Sequence, residues 1–468
     1  MKRLVVIPAL VAGLALGGCS SHSSPALGGM GGGGGMGGGG GGGGGNGSGG
    51  SDGGVPHGAT NPPPGGKFPI DHIIIVVKEN HTFDNYFGSF PGAEGTRMAQ
   101  TSMGPVAVGQ PPTQLLRDLC HTHDCALADW NHGNMDHWDL GDTKNQSDQL
   151  AYAQYLESDI PNYWQYARHF ALADHFHSSM LGPSFPGHMF VLAAQAGWAL
   201  GNPEGSGIVP LINWGCDDPK GSGTPPSTVI PVLDKGSCTV AKPFPCFEFP
   251  TVVDGLPPAV TWKFYGSTLP PAVGQVWSMF DAVGHIRMGE AWKSFVVDAS
   301  QFDGDVDSGN LPSITFLVDQ DLNSEHPPFN ICAGENWTVG HLNHVMQSPL
   351  WQHTAILMAW DDFGGWYDHV PPPRQYGCDA TTPYGLGFRL PLIIVSPYAR
   401  AASVYSRVAH HASIPKFVET VFGLPSLASQ DPAAQDGPDT DDLTSAFDWT
   451  QTPLPALMLP TRSCTGAR

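Results

Sequence analysis

Apolar residues in this chain gather into short dense runs. Ile73 to Val77 is five consecutive β-branched residues, too short for a helix and lacking the alternation of a half-exposed strand. The run predicts a strand buried on both faces, as in a parallel sheet. Ser313 to Asp319, His353 to Trp360 and Leu390 to Ser396 repeat it, and Val260 to Tyr265 and the segment from Phe170 read as further extended pieces. Between them, Tyr155, Ile160, Tyr163 and Tyr166 keep helical spacing within Tyr152 to His169. A turn at Gly182-Pro183 precedes a helix from about Pro186 to Ala196, and Val276 to His285 and Gly340 to Gln347 read as shorter helices. Short buried strands separated by helices predict an α/β fold, a central mostly parallel β-sheet sandwiched between helices.

The polar residues that follow these strands carry the candidate chemistry. Ile73–Val77 runs through Lys78 into Glu79-Asn80, and His353–Trp360 empties into Asp361-Asp362. Open α/β sheets place ligands at the carboxyl ends of their strands. Either pair alone is better explained as the cap of a following turn. Two such pairs, each leaving a buried strand, point to one site. Adjacent carboxylates repel unless a cation sits between them, so Glu79, Asn80, Asp361 and Asp362 are candidate ligands of a divalent metal ion. Ser184 follows the Gly182-Pro183 turn and is the candidate nucleophile, since metal coordination activates a hydroxyl toward phosphorus; its bland alternative is a helix N-cap. Among twenty histidines, His121, His326 and His369 stand out by context as groups that can contact a phosphoryl oxygen or move a proton. No GxSxG elbow, HExxH, P-loop or dinucleotide fingerprint is present.

Composition sets the address and the partners. Met1-Lys2-Arg3, the apolar stretch Leu4 to Leu16 and Gly17-Gly18-Cys19 read as a secretory signal, and Leu16 to Cys19 resembles a bacterial lipobox. The alternative is an ordinary signal peptide with an incidental cysteine. Residues 20–66, largely glycine, form a tether that cannot bury a core, and 67–468 is the catalytic domain. The expected protein is exported and held to a membrane of the cell envelope by an N-terminal lipid. Formal charge is −21, and loss of Lys2 and Arg3 makes it −23, which argues against nucleic acid as a partner. Of nine cysteines, eight lie beyond Cys19, an even number that predicts disulfides in an exported chain, with no CxxC pair for zinc. A bridge among Cys216, Cys238 and Cys246 would hold their Pro/Gly-rich excursion together.

Taken together, the motifs resemble a bacterial phosphoesterase family that includes non-specific phospholipases C and a type of acid phosphatase. Its ENRSFDHYFG opening stands here as Glu79-Asn80-His81-Thr82-Phe83-Asp84-Asn85-Tyr86-Phe87-Gly88, and its GP(S/T)xPN(H/R) nucleophile motif as Gly182-Pro183-Ser184-Phe185-Pro186-Gly187-His188. The YDHVPPP motif lies within Trp360 to Pro373, and GFRLPLIIVSPYAR spans Gly387 to Arg400. The resemblance runs from Phe68 to Phe447. It implies an alkaline-phosphatase-like core, a metal held by Glu79, Asn80, Asp361 and Asp362, and a phosphoseryl intermediate on Ser184. It further implies that His121, His326 and His369 serve the phosphoryl group, on a phosphate-ester or phospholipid substrate. Gly187 departs from the family's asparagine, and Ser184 and Asp362 lie closer to the phosphatase-like branch. Rival readings are a sulfatase or phosphonate hydrolase, against which the GPSFPG context of Ser184 lacks the CxPxR or SxPxR pattern, and a surface-binding lipoprotein with a weakened site.

Overall fold

Burial on both faces turns the apolar runs into one sheet. The computed structural model describes residues 67–141, 149–205, 215–216, 228–266, 277–319, 321–373, 376–377 and 383–464. The expected signal and tether lie outside them. Eight strands form the main sheet: β1 (His72–Lys78), β2 (Ala171–Ala173), β3 (Trp262–Gly266), β4 (Val296–Asp298), β5 (Ile314–Val318), β6 (Thr354–Trp360), β7 (Leu392–Val395) and β8 (Ser403–Tyr405). Their spatial order is β4-β3-β5-β1-β6-β7-β2-β8. Every pairing is parallel except the two made by β7, which alone runs against the rest. Every residue of β5 and β6 is buried, and successive side chains of a strand point to opposite faces, so both faces of the sheet centre are covered. The mostly parallel sheet expected from the apolar runs is therefore observed. Burying the five side chains Ile73 to Val77 contributes on the order of 10 kcal/mol.

Helices differ more from expectation. The helix expected over Tyr152–His169 forms only as α3 (Pro161–His169), because Pro161 lacks an amide donor and is suited to a first helical position. Ser184 begins α4 (Ser184–Ala193) and makes no capping bond; Pro183 occupies the N-cap, so the N-cap alternative for the serine does not hold. The helix expected from Gly340 starts much earlier as α5 (Ile331–Gln347), with Asn330 accepting from the Cys332 amide as its cap. The expected Val276–His285 helix is replaced, in its described part, by a 3-10 turn at Met279–Ala282 and a single helical turn at Gly284–Arg287. Two further helices matter below, α1 (Phe83–Phe87) and α2 (His123–Trp130), and a last one, α6 (Ser413–Phe422), packs on α4. The expected disulfides form as Cys120–Cys125, Cys216–Cys246 and Cys332–Cys464, and Cys238 is also disulfide-bonded.

Candidate active site

The register of the two central strands builds the site. Lys78 pairs with Trp360, so the next residues along each strand, Glu79 and Asp361, emerge side by side. The Asp361 amide donates to the Lys78 carbonyl at 3.0 Å, and the Asn80 amide donates to Asp361 Oδ1 at 2.9 Å. Asn80 sits at φ 66°, a left-handed conformation that asparagine tolerates better than most residues. Behind Asp362 the chain turns through Gly364 (φ 58°) and Gly365 (φ 75°). A Cβ on Gly364 would lie 2.3 Å from the Asn80 carbonyl oxygen, and one on Gly365 would lie 2.5 Å from the Leu119 Cβ. The double glycine therefore lets both the Glu79-Asn80 turn and the loop bearing His121 close onto the acidic pair.

Helix α4 brings the nucleophile. Ser184 Oγ donates to Asp362 Oδ2 at 3.0 Å, and the Phe185 amide donates to Asn202 Oδ1 at 2.8 Å, fixing the start of the helix. One turn later His188 Nε2 lies 2.8 Å from Glu79 Oε1 and 3.9 Å from Asp361 Oδ2. Ser184 and His188 share a helix face because they are four residues apart. Between them, Gly187 presses its backbone on the acidic turn, where a Cβ would lie 2.2 Å from the Asp361 carbonyl oxygen. The departure from asparagine thus has a steric reason in this chain.

This cluster is buried and acidic. Glu79, Asn80, Ser184, His188, Asp361 and Asp362 are all buried. Burial pushes the Glu79 carboxyl up to about 8, and the neighbouring Asp362 charge adds to the rise. Burial and the neighbouring Glu79 lift Asp361 to about 7, and burial with Asp361 beside it carries Asp362 well above the ordinary carboxylate range. Burial lowers His188 to about 4. Glu79 Oε2, Asp361 Oδ2 and both polar atoms of the Asn80 amide have no hydrogen-bond partner within the described residues. Three crowded carboxylates and an unused amide oxygen fit a hard divalent cation, which would supply the missing positive charge. Glu79, His188 and Asp361 offer ligand atoms within 4.8 Å of one another. His188 was missed in the sequence as a site residue; its i+4 spacing from Ser184 was the available signal.

Of the three histidines singled out by sequence, two meet at this site. His121 and His326 have ring centroids 5.7 Å apart, with Asp118 3.6 Å from His121 Nδ1 and 4.0 Å from His326 Nε2. His121 is close enough to Glu79, and His326 to Asp361, for their charges to interact. The Cys120–Cys125 bridge and the Thr122 cap of α2 hold the His121 loop, while His123 Nδ1 meets the Leu181 carbonyl at 2.5 Å, tying it to the Ser184 turn. His326 Nδ1 lies 2.6 Å from the Pro327 carbonyl, which can only accept, so that nitrogen carries the proton and Nε2 keeps its lone pair. Burial lowers the His326 pKa and favours this neutral form. His369 is placed differently. Its Nδ1 lies 2.6 Å from Asp84 Oδ2, beside a buried cluster in which Arg389 bonds Asp368 at 2.8 Å and Asp84 at 3.2 Å. Among the described residues no hydrogen bond or ion pair joins His369 to Glu79, Asn80, Ser184, Asp361 or Asp362.

The model of the Phosphoesterase family matches residues 70–425, from the first buried strand to just beyond α6. The chain belongs to the Phosphoesterase family. Relatives of this phosphoesterase include Phospholipase C A of Mycobacterium tuberculosis, 26% identical over 446 residues that cover 84% of this chain and 80% of the relative. Non-hemolytic phospholipase C of Pseudomonas aeruginosa is also 26% identical, over 433 residues covering 81% of this chain and 57% of the relative. Among solved structures, a protein in the alkaline phosphatase superfamily from Vibrio parahaemolyticus aligns with a TM-score of 0.35 at 11% identity, covering 80% of this chain and 70% of that one.

Proposed function

We propose that this phosphoesterase hydrolyses phosphoric esters through a phosphoseryl intermediate on Ser184, with a divalent metal ion held by Glu79, Asn80, Asp361 and Asp362. The observation that carries the proposal is the 3.0 Å hydrogen bond from Ser184 Oγ to Asp362 Oδ2, inside a buried cluster of carboxylates with unused oxygens. When bound, the metal supplies positive charge that stabilises both the carboxylates and a substrate phosphoryl group.

The chain's own groups account for the proton traffic. Ser184 Oγ attacks phosphorus and passes its proton to Asp362 Oδ2, while the ester oxygen leaves with the bonding pair and is protonated by solvent. Water then attacks the phosphoseryl group, giving its proton to His326 Nε2, which passes it on to solvent, and Ser184 recovers its own from Asp362 as inorganic phosphate or a phosphorylated head group departs. His121 is positioned to donate to a phosphoryl oxygen, and His369 is assigned an outer role through Asp84. The substrate class is a phosphate monoester or a phospholipid, the latter supported by the named activities of the relatives. The protein is read as exported and lipid-anchored, on residues 1–66; among the described residues no helix is long and apolar enough to cross a membrane.

The test is turnover of p-nitrophenyl phosphate and p-nitrophenylphosphorylcholine by metal-replete protein, with Ser184→Ala as control. We expect turnover of at least one and a loss of about 10³-fold or more in the variant, in line with removal of a nucleophile. Unchanged turnover by Ser184→Ala would overturn the mechanism.

A further inference from the structure

Behind the acidic cluster lies a buried carboxylate that the proposed reaction does not use. Glu325 is 1% exposed and adopts φ 79°, a left-handed conformation that a residue with a long side chain rarely takes. Its carboxylate accepts from Tyr86 Oη at 2.8 Å, Tyr163 Oη at 2.5 Å and Trp360 Nε1 at 3.2 Å, and pairs with Lys78 Nζ at 3.3 Å. Two of these four partners carry the meaning. Lys78 and Trp360 face each other across β1 and β6, and they immediately precede Glu79-Asn80 and Asp361-Asp362. The Glu79 amide also donates to the Ser324 carbonyl at 3.0 Å, and Lys78 Nζ reaches the Asn323 carbonyl at 2.5 Å. One carboxylate therefore grips the last residue of each strand that delivers the acidic site, and the next residue in its own chain is His326.

Space for this grip is reserved from the opposite side. A Cβ on Gly334, in the first turn of α5, would lie 2.3 Å from the Glu325 Cγ and 2.7 Å from its Oε1. That glycine lies within a helix, where it is less favourable than alanine by about 1 kcal/mol, and the close approach of Glu325 gives it a reason to be there.

We propose that Glu325 is a positioning residue for phosphoryl transfer: by clamping Lys78 and Trp360 it fixes the spacing of the two acidic strand ends and the place of His326 over them. The proposal rests on the reading of the site given above. It differs from a purely structural ion pair, because a structural pair can be replaced by apolar residues without loss of function, whereas a clamp cannot. Buried pairs replaced together are often neutral for stability, while removing one partner leaves a buried charge uncompensated.

That difference defines the experiment. Lys78→Met/Glu325→Met removes both charges, and Gly334→Ala keeps both while displacing the carboxylate. Melting temperature, Mn²⁺ affinity by calorimetry, and kcat and KM on p-nitrophenyl phosphate are compared with the parent. Outer residues that orient a metal site contribute about 10–100-fold in affinity or activity. We expect both variants to remain folded, to bind Mn²⁺ about 10-fold more weakly, and to lose about 10–100-fold in kcat with KM changed much less. A folded double variant with parental Mn²⁺ affinity and kcat would overturn the clamp. Should the double variant fail to fold, the charge-preserving Gly334→Ala decides alone, parental values in it again overturning the clamp. Absence of turnover in the parent would strike the phosphoryl-transfer reading, and the Mn²⁺ measurements would still judge Glu325.

Discussion

At the scale of single residues, the site depends as much on missing atoms as on present ones. Gly187 is the clearest case, since its Cα stands where any side chain would strike the Asp361 carbonyl. Gly187→Ala must push α4 or the acidic turn by several tenths of an ångström or more, and misplacement near 1 Å can cost about 10²-fold in rate. We expect the variant to keep its fold by circular dichroism while kcat on p-nitrophenyl phosphate falls about 10–100-fold; full activity would show that the helix can yield. The acidic residues were legible in the sequence because each leaves a recognisable buried strand. His188 and the clamp made by Glu325 were not, for their roles depend on which strand ends and helix face meet, and that is decided by register.

Among the elements, the strands were legible wherever both faces are buried, and β1, β5 and β6 fall within a residue or two of their apolar runs. The reversed direction of β7 could not be read, because a buried run looks the same either way round. The helix read from Gly340 omits the first turns of α5, which begin at Ile331 and include Gly334, the residue that makes room for Glu325. Helix α6 shows how an element is pinned by a proton. Glu419 near its end and Asp436, further along the chain, share the Leu427 amide, at 3.0 and 2.8 Å. Burial, with Asp436 beside it, raises Glu419 to about 9. A carboxyl whose folded pKa is raised binds its proton more tightly in the folded state. Its contribution to stability is complete below the unfolded value of about 4.5 and is lost as pH climbs toward about 9. Glu419→Gln keeps a neutral group there, so the fall in melting temperature between pH 5 and 9 should be shallower than in the parent. An identical pH slope in the two proteins would remove Glu419 as its source.

For the molecule as a whole, the chain's end is fastened to the layer that backs the site. Cys464 bridges to Cys332 at the start of α5, closing a loop of 132 residues, and Arg462 pairs with Glu335 at 2.8 Å. The number of cysteines predicted bridges but not partners, since pairing is fixed by tertiary proximity. Loss of a native bridge typically costs about 2–5 kcal/mol. Cys464→Ser should therefore lower the unfolding free energy by an amount in that range and unfold at lower denaturant than the parent, read with the remaining bridges intact. A transition that does not move would mean that the Arg462 and Asn336 contacts hold the segment unaided.

The tight fit at Gly187 also ties two segments of the chain to one another's sequence. Where the motif it resembles has asparagine, this chain has Gly187, and helix α4 lies directly on the Asp361 backbone there. Because the Asp361 backbone fills that space, an asparagine placed at 187 alone meets a wall. Neighbouring residues in contact couple in this way, so the effects of their changes do not add. A larger residue at 187 is then accommodated only together with compensating changes in the turn. A chimaera carrying both the asparagine and a relative's acidic turn should tolerate what the single substitution does not.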